Sequence, residues 1–187
     1  MIVSFSFINF SLLLSAARNR MENVKIKAIV VTVSDSRRET DDISGLTLVD
    51  LLLEIGVEIV DKIIVSDEFE DLRNTLYSLT ERDDANLIVT TGGTGFAPRD
   101  NTPEATRAVI EREASGMAEA MRFETAKKTP MAMLSRGVCG IRGNKLIINL
   151  PGSPKGVREC FEVIKDVLPH AINLISGKAN HDKQSFA

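Results

Sequence analysis

The stretch "TTGGTGFAPRDNTPEAT", Thr90 to Thr106, directly follows the apolar run "NLIV" and gathers glycines, threonines, an Arg-Asp pair and a Thr-Pro-Glu. Gly92, Gly93 and Gly95 allow the backbone to turn with positive φ and to approach a ligand closely. Successive amide N–H groups can then form an anion-binding nest. Thr91 and Thr94 add hydroxyl donors. The helix expected to start at Pro103, capped by Thr102, brings its positive end to the same place, with Glu104 in its first turn. This chemistry is a cradle for phosphate or carboxylate. The pattern is neither a Walker A loop, since no lysine follows the glycines, nor GxGxxG. Taken as glycines alone, it supports a tight structural turn equally well.

A second candidate cradle is Pro151-Gly152-Ser153-Pro154-Lys155, with a glycine, a capping hydroxyl and a lysine at a helix start. Standing alone, it reads as a helix cap before it reads as a site. Asp67 and Asp100 are carboxylates in loops of the same kind. Oxygen ligands suit Mg²⁺, which is commonly held by one or two carboxylates together with substrate phosphates. Two other roles are open: Asp67 as a helix cap, and Asp100 as a turn residue or a partner for Arg99. The histidines, His170 and His181, lie outside these segments, so neither a Ser-His-Asp set nor a His-rich metal site is indicated. The chemistry these residues point to is metal-assisted phosphoryl or nucleotidyl transfer rather than acyl transfer.

The elements that must position these loops follow from the patterning. "IKAIVVTVS" (Ile26 to Ser34) is a continuous apolar run suited to a strand buried on both faces. After the polar loop "DSRRETDDI", Ser44 is expected to cap the helix "GLTLVDLLLEI", with Leu48, Leu51, Leu52 and Ile55 on one face and Gly56 as its stop. "VEIVDKIIV" is a second strand. A helix with Leu72, Leu76 and Leu79 on its apolar stripe follows, then a third strand over Asn86 to Thr91. Helices are expected over "EATRAVIER" and from Ser115 onward. "GVCGIRGNKLIINL" reads as a hairpin turning at Gly143-Asn144. Ser153 caps one last helix, ended by Gly177. The order β-α-β-α-β-α-α-β-β-α predicts an α/β fold, a three-layer α/β/α sandwich with a mainly parallel central sheet and a C-terminal β-hairpin. In such sheets ligands sit beyond the strand carboxyl ends, where "SDSR" (Ser34, Asp35, Ser36), "SDEFED", the glycine loop and "LPGSPKG" should share one rim.

The length of 187 residues, with 43% apolar and 26% charged residues, bounds the chain to one ordinary globular domain. A net charge of −3 argues against bulk nucleic-acid binding, which needs a basic face. Cys139 and Cys160 form no CxxC and read as buried thiols of a reducing cytoplasm. The first twenty residues mimic a signal peptide, but no Lys or Arg precedes their apolar part and "SAA" is a loose cleavage site. That part is also short for a membrane span and is broken by serines and Asn9. Residues 1–20 are therefore expected to be a non-core extension or an upstream start, residues 21–178 one domain and residues 179–187 a polar tail. A cytoplasmic protein without membrane or nucleic-acid partners is the expectation.

The glycine stretch, with "VTVSDSR", "SGMAEAMR", "MLSRGVCGIRG" and "LIINLPGSPKGV", resembles the MoaB/Mog family of molybdenum-cofactor biosynthesis proteins over Val24 to Gly177. The resemblance implies a three-layer α/β sandwich that assembles as a trimer, or a dimer of trimers. It also implies molybdopterin adenylyltransferase activity, in which molybdopterin attacks the α-phosphorus of ATP with Mg²⁺ and pyrophosphate leaves. The family's two functional aspartates fall on Asp67 and Asp100, as metal ligands and catalytic groups. Its pterin- and phosphate-binding loops fall on Gly92 to Gly95 and Gly152 to Lys155. The family's first loop is commonly longer and carries a glycine. Here it is "SDSRRETDDISG", so which ligand that loop touches is open. Two alternatives stand beside the enzyme. One is a pterin-binding protein without catalysis, and the other is a pyridine-nucleotide hydrolase, which would need an extra domain.

Overall fold

The computed structural model describes residues 24–177. The expectations for residues 1–20 and for the 179–187 tail fall outside these. The elements are β1 (Lys27–Val33), α1 (Ile43–Glu54), β2 (Glu58–Val65), α2 (Phe69–Thr80), β3 (Leu87–Thr91), α3 (Thr102–Val109), β4 (Arg112–Glu113), α4 (Ser115–Ala126), β5 (Cys139–Arg142), β6 (Lys145–Leu150), α5 (Pro154–Ile164) and α6 (Leu168–Ile175). A 3₁₀ turn, Pro130–Leu134, joins α4 to β5.

One sheet runs β2-β1-β3-β6-β5-β4. β1, β2, β3 and β6 are parallel, and β5 and β4 are antiparallel additions at one edge. The continuous apolar runs end up between two helical layers, as parallel strands must. Ala28, Val30, Leu87, Val89, Leu146 and Ile148 meet Leu48 and Leu52 of α1, Met121 of α4, Phe161 of α5 and Ile172 of α6. The alternate residues Ile29, Val31, Ile88 and Ile147 meet Leu72 and Leu76 of α2 and Ala105 and Val109 of α3. The predicted three-layer sandwich is the observed fold. No helix among the described residues is long and apolar enough to cross a membrane.

The structure departs from the sequence expectations at several ends. Asp42, not Ser44, caps α1, accepting the Gly45 N–H at 2.9 Å. Ile55 lies past the end of α1 and is 36% exposed. Asn101 holds the cap position of α3, and Thr102 is already helical. The single last helix is two, α5 and α6. Pro169 explains the break: it lacks an N–H, and its ring collides with the carbonyl four residues back in a continuous helix. The two-residue β4 escaped prediction because it is too short to show an alternation.

Candidate active site at the strand carboxyl ends

The register of the parallel strands builds the site. Thr32 of β1 lies beside Thr91 of β3, and Thr91 beside Leu150 of β6. On the other side Val33 pairs with Val65 of β2. The loops that follow these strands therefore leave the sheet along one edge. The chain order reverses between β1 and β3, and there the crevice of an open α/β sheet forms.

Gly92 and Gly93 adopt φ of 108° and 60°. A Cβ at Gly92 would stand 2.3 Å from the Val33 carbonyl oxygen, and one at Gly93 2.4 Å from Thr102 Oγ1. The turn thus admits only glycine, for conformation and for space together. Gly95 corrects the expectation of three positive-φ glycines. Its φ is not positive, but a Cβ there would lie 2.9 Å from Asp100 Oδ2. Two of the threonines also differ from expectation. Thr91 Oγ1 donates to the Pro151 carbonyl at 2.7 Å, and Thr102 Oγ1 donates to the Gly92 carbonyl at 2.9 Å. Both hydroxyls brace loops and are not offered to a ligand. Among the described residues, no hydrogen bond uses the amide N–H groups of Gly93, Thr94, Gly95 or Phe96. Four consecutive unpaired donors thus stand in the loop whose Gly93, Thr94 and Gly95 line a cavity.

That cavity has a volume of about 380 Å³. Gly93, Thr94, Gly95 and Asp100 line one side, and Pro151, Gly152 and Ser153 another. Met121 and Arg122 of α4, with Met131 and Leu134 of the 3₁₀ turn, close it with a largely apolar wall. Asn149 reaches in from β6, while its side chain bonds Val138 N–H, Thr90 Oγ1 and Thr106 Oγ1. Cys160 also borders the cavity, and burial pushes its thiol up to about 11. Burial pushes Cys139 up to about 12. Neither is a thiolate nucleophile near neutral pH.

The acidic side lies against the same glycines. A Cβ on Gly93 would come 3.4 Å from Asp67 Oδ1, so Asp67 faces the turn. Asp67 is not a helix cap: Glu68 holds that position in α2. Asp67 and Asp35 bond reciprocally, Asp35 N–H to Asp67 Oδ2 at 3.0 Å and Asp67 N–H to Asp35 Oδ1 at 3.1 Å. The Ser66 hydroxyl, the Asp67 N–H and the Arg99 guanidinium hold Asp35 below the ordinary aspartate range. Partial burial pushes Asp67 above that range. The Asp35 N–H pulls it back, the charges of Asp35 and Asp100 push it further up, and Arg99 opposes them. Asp100 is the expected turn residue on one oxygen, since Oδ2 accepts the Ala97 N–H at 2.8 Å. It does not pair with Arg99, which instead bonds Asp35 and, at 2.8 Å, Glu68.

Among the described residues no group of three or more His, Cys, Asp or Glu side chains is arranged to hold a metal ion. A fully protein-ligated cation therefore does not fit. Mg²⁺ completed by phosphate oxygens does fit, because Asp67 and Asp100 supply two hard carboxylates whose mutual repulsion a cation relieves.

The other predicted site residues divide. Ser153 caps α5, accepting the Gly156 N–H at 3.1 Å, and also lines the cavity. Lys155 is exposed and stands outside the cavity lining. Ser34 Oγ accepts the Ser36 and Arg37 N–H groups at 3.3 Å, so it organises its own loop, where Ser36 is exposed. Glu104 faces Arg136 rather than the cavity.

Several residues that organise the site were not singled out from the sequence. Arg37 Nη2 donates to the Gly152 carbonyl at 2.9 Å and ties the first loop to the second cradle. Its Nη1 donates to Ser44 Oγ, and Ser44 lies inside α1, one residue past its first. Asp42 is buried and pairs with Lys62 Nζ at 2.6 Å. Arg136 Nε donates to the Gly95 carbonyl at 2.7 Å, and its other nitrogens bond Glu104 and the Asp100 carbonyl. Only the position of Arg136 inside "MLSRGVCGIRG" hinted at it.

A parallel α/β sheet with a glycine turn and two carboxylates at its switch point defines an open α/β domain whose candidate site lies at the strand carboxyl ends. Residues 29–170 match the family model described as a probable molybdopterin binding domain. The chain belongs to that family, and within it to the MoaB/Mog group. It is 45% identical over 162 residues to the molybdenum cofactor synthesis protein cinnamon of Drosophila melanogaster, covering 84% of this chain and 27% of that protein. It is 38% identical over 159 residues to a molybdopterin adenylyltransferase of Helicobacter pylori, covering 84% of this chain and 90% of that one. Among solved structures, a molybdopterin biosynthesis enzyme MoaB from Thermus thermophilus superposes with a TM-score of 0.75 at 45% identity, covering 81% of this chain and 97% of that chain. The alignment thus spans about a quarter of the Drosophila protein's length but 90% of the Helicobacter protein and 97% of the Thermus chain.

Proposed function

We propose that the chain is a molybdopterin adenylyltransferase of molybdenum or tungsten cofactor biosynthesis. In this reading an oxygen of the pterin's phosphate attacks the α-phosphorus of ATP. A new phosphoanhydride bond forms as the bond to the β-phosphate oxygen breaks, and pyrophosphate leaves. The observation that carries the reading is the run of unpaired amides from Gly93 to Phe96, between a 380 Å³ cavity and the Asp67 and Asp100 carboxylates. Relatives named molybdopterin adenylyltransferase and matched over most of their length support it.

The amides would hold phosphate oxygens in place, so that little rearrangement is needed as charge shifts in the transition state. The apolar wall of Met121, Met131 and Leu134 would exclude water from one side of the reacting groups. Asp67 and Asp100 would hold Mg²⁺ together with the nucleotide. That ion would supply charge neutralisation of the phosphates. Asp35 and Asn101, which bond the Asp67 N–H, Oδ2 and carbonyl, would fix that carboxylate. ATP as co-substrate, a trimer or hexamer, and the cytoplasm as location belong to the same proposal.

The test is single-turnover formation of adenylyl-molybdopterin by Asp67→Asn and Asp100→Asn at saturating Mg²⁺. Each variant should fold and bind molybdopterin, yet turn over roughly 100-fold or more slowly, a loss typical of a removed transition-state contact. Turnover like wild type would reduce the aspartates to loop-shaping residues. A wild-type protein that binds the pterin but forms no adenylylated product would leave a binding protein without catalysis.

A further inference from the structure

We propose that Arg136 is a positioning residue of the glycine nest, turning the peptide planes of the loop so that their N–H groups face a phosphate. The proposal deepens the adenylyl-transfer reading and rests on it only for the identity of the reaction.

Arg136 leaves the 3₁₀ turn and reaches four acceptors. Its backbone N–H donates to the Thr94 carbonyl at 2.8 Å. Nε donates to the Gly95 carbonyl at 2.7 Å, Nη2 to the Asp100 carbonyl and Nη1 to Glu104. The described residues contain no cis peptide bond. In a trans peptide the N–H of the next residue points opposite to the carbonyl. Drawing the carbonyls of Thr94, Gly95 and Asp100 toward Arg136 therefore directs the N–H groups of Gly95, Phe96 and Asn101 away from it. None of these N–H groups is used in a hydrogen bond among the described residues. Gly95, beside them, lines the cavity, while Arg136 itself does not. The guanidinium thus stands behind the loop and acts through it.

Glu104 completes the arrangement. One of its oxygens bonds Arg136, while the other, Oε2, is buried without a partner. The Glu104 carboxylate, paired with Arg136, offsets part of that charge. Since Arg136 does not line the cavity and its charge is partly paired, a ligand there meets the loop amides and not the guanidinium itself. Lysine keeps the charge, but it is a point donor on a flexible stem and lacks the planar fork. Arg136→Lys should accordingly fail about as badly as Arg136→Gln.

The experiment titrates pyrophosphate into ¹⁵N-labelled wild type, Arg136→Lys, Arg136→Gln and the control Arg142→Gln. Arg142 packs on the Tyr77 ring and bonds the Val109 carbonyl, away from the cavity lining. In wild type and the control the Gly93 and Gly95 amide signals should shift on saturation. In both Arg136 variants affinity should fall about 10-fold or more with the melting transition kept, and adenylyl-molybdopterin formation should fall in parallel. The proposal is overturned if the wild-type glycine amides do not respond, or if either folded variant binds as tightly as wild type. A variant that melts below the assay temperature also counts against it, because positioning predicts lost binding with the fold intact. Wild type that binds pyrophosphate through these amides but makes no product would keep the role of Arg136 and remove the adenylyl-transfer reading.

Discussion

Two positions test how tightly single residues are specified. At Gly93 the backbone holds φ of 60° and a Cβ would stand 2.4 Å from Thr102 Oγ1. Gly93→Ala should destabilise the protein by about 1–2 kcal/mol from the left-handed conformation alone, read in chemical denaturation. It should also weaken phosphate binding, because the amide run is displaced. Asp42 tests charge. Burial raises its pKa, but Lys62, the Thr32 hydroxyl and the Gly45 N–H outweigh burial and hold it below the ordinary value. A lowered folded-state pKa contributes stability that is present above the unfolded pKa, about 3.9, and is lost as pH falls through the folded value. Wild type should therefore lose this contribution below about pH 4, and Asp42→Asn should flatten that part of the stability–pH profile. Asp42→Ala, which strands Lys62 and uncaps α1, should cost about 3–5 kcal/mol. The glycines and the two aspartates stood out in the sequence because their residue types by themselves suggest a chemistry. Arg37, Arg99 and Arg136 did not, because an arginine's role depends on which distant carbonyl or carboxylate it meets.

At the scale of elements, the helix N-terminus after β6 serves fold and site together. Ser153 Oγ accepts the Gly156 N–H, and the same residue lines the cavity. Ser153→Ala should cost about 1 kcal/mol of stability in thermal unfolding, as the loss of an N-cap does. It should also weaken molybdopterin binding, and unaltered binding would confine Ser153 to capping. Strands and helices were found from the sequence because apolar periodicity is local. Their ends were less secure, since several capping side chains stand close together in the chain: Asp42 takes the cap of α1, and Ser44, already helical, bonds Arg37.

At the scale of the whole molecule, several large apolar side chains among the described residues are exposed. Phe123 of α4 and Met131 and Met133 of the adjoining 3₁₀ turn are 68%, 64% and 67% exposed. Met121 of the same helix is buried and lines the cavity. A proposed trimer would cover part of this surface. Light scattering at micromolar concentration should give three times the chain mass for wild type and a lower mass for Phe123→Asp. A monomeric wild type would refute the assembly.

The order of strands and helices, the mainly parallel sheet and the glycine turn were determined by the sequence itself. They rest on local periodicity and on residue types that admit few conformations. Which hydroxyls face a ligand was decided only by the tertiary structure. Thr91 and Thr102 look like donors in isolation, yet the parallel register sets Thr91 close to the carbonyl of Pro151, and the turn at Gly93 sets Thr102 close to that of Gly92. A hydroxyl inside the fold takes the acceptor that folding brings within reach, because leaving either group buried and unpaired costs more than the bond contributes. Long-range register chooses that acceptor, and no local spacing in the chain encodes it.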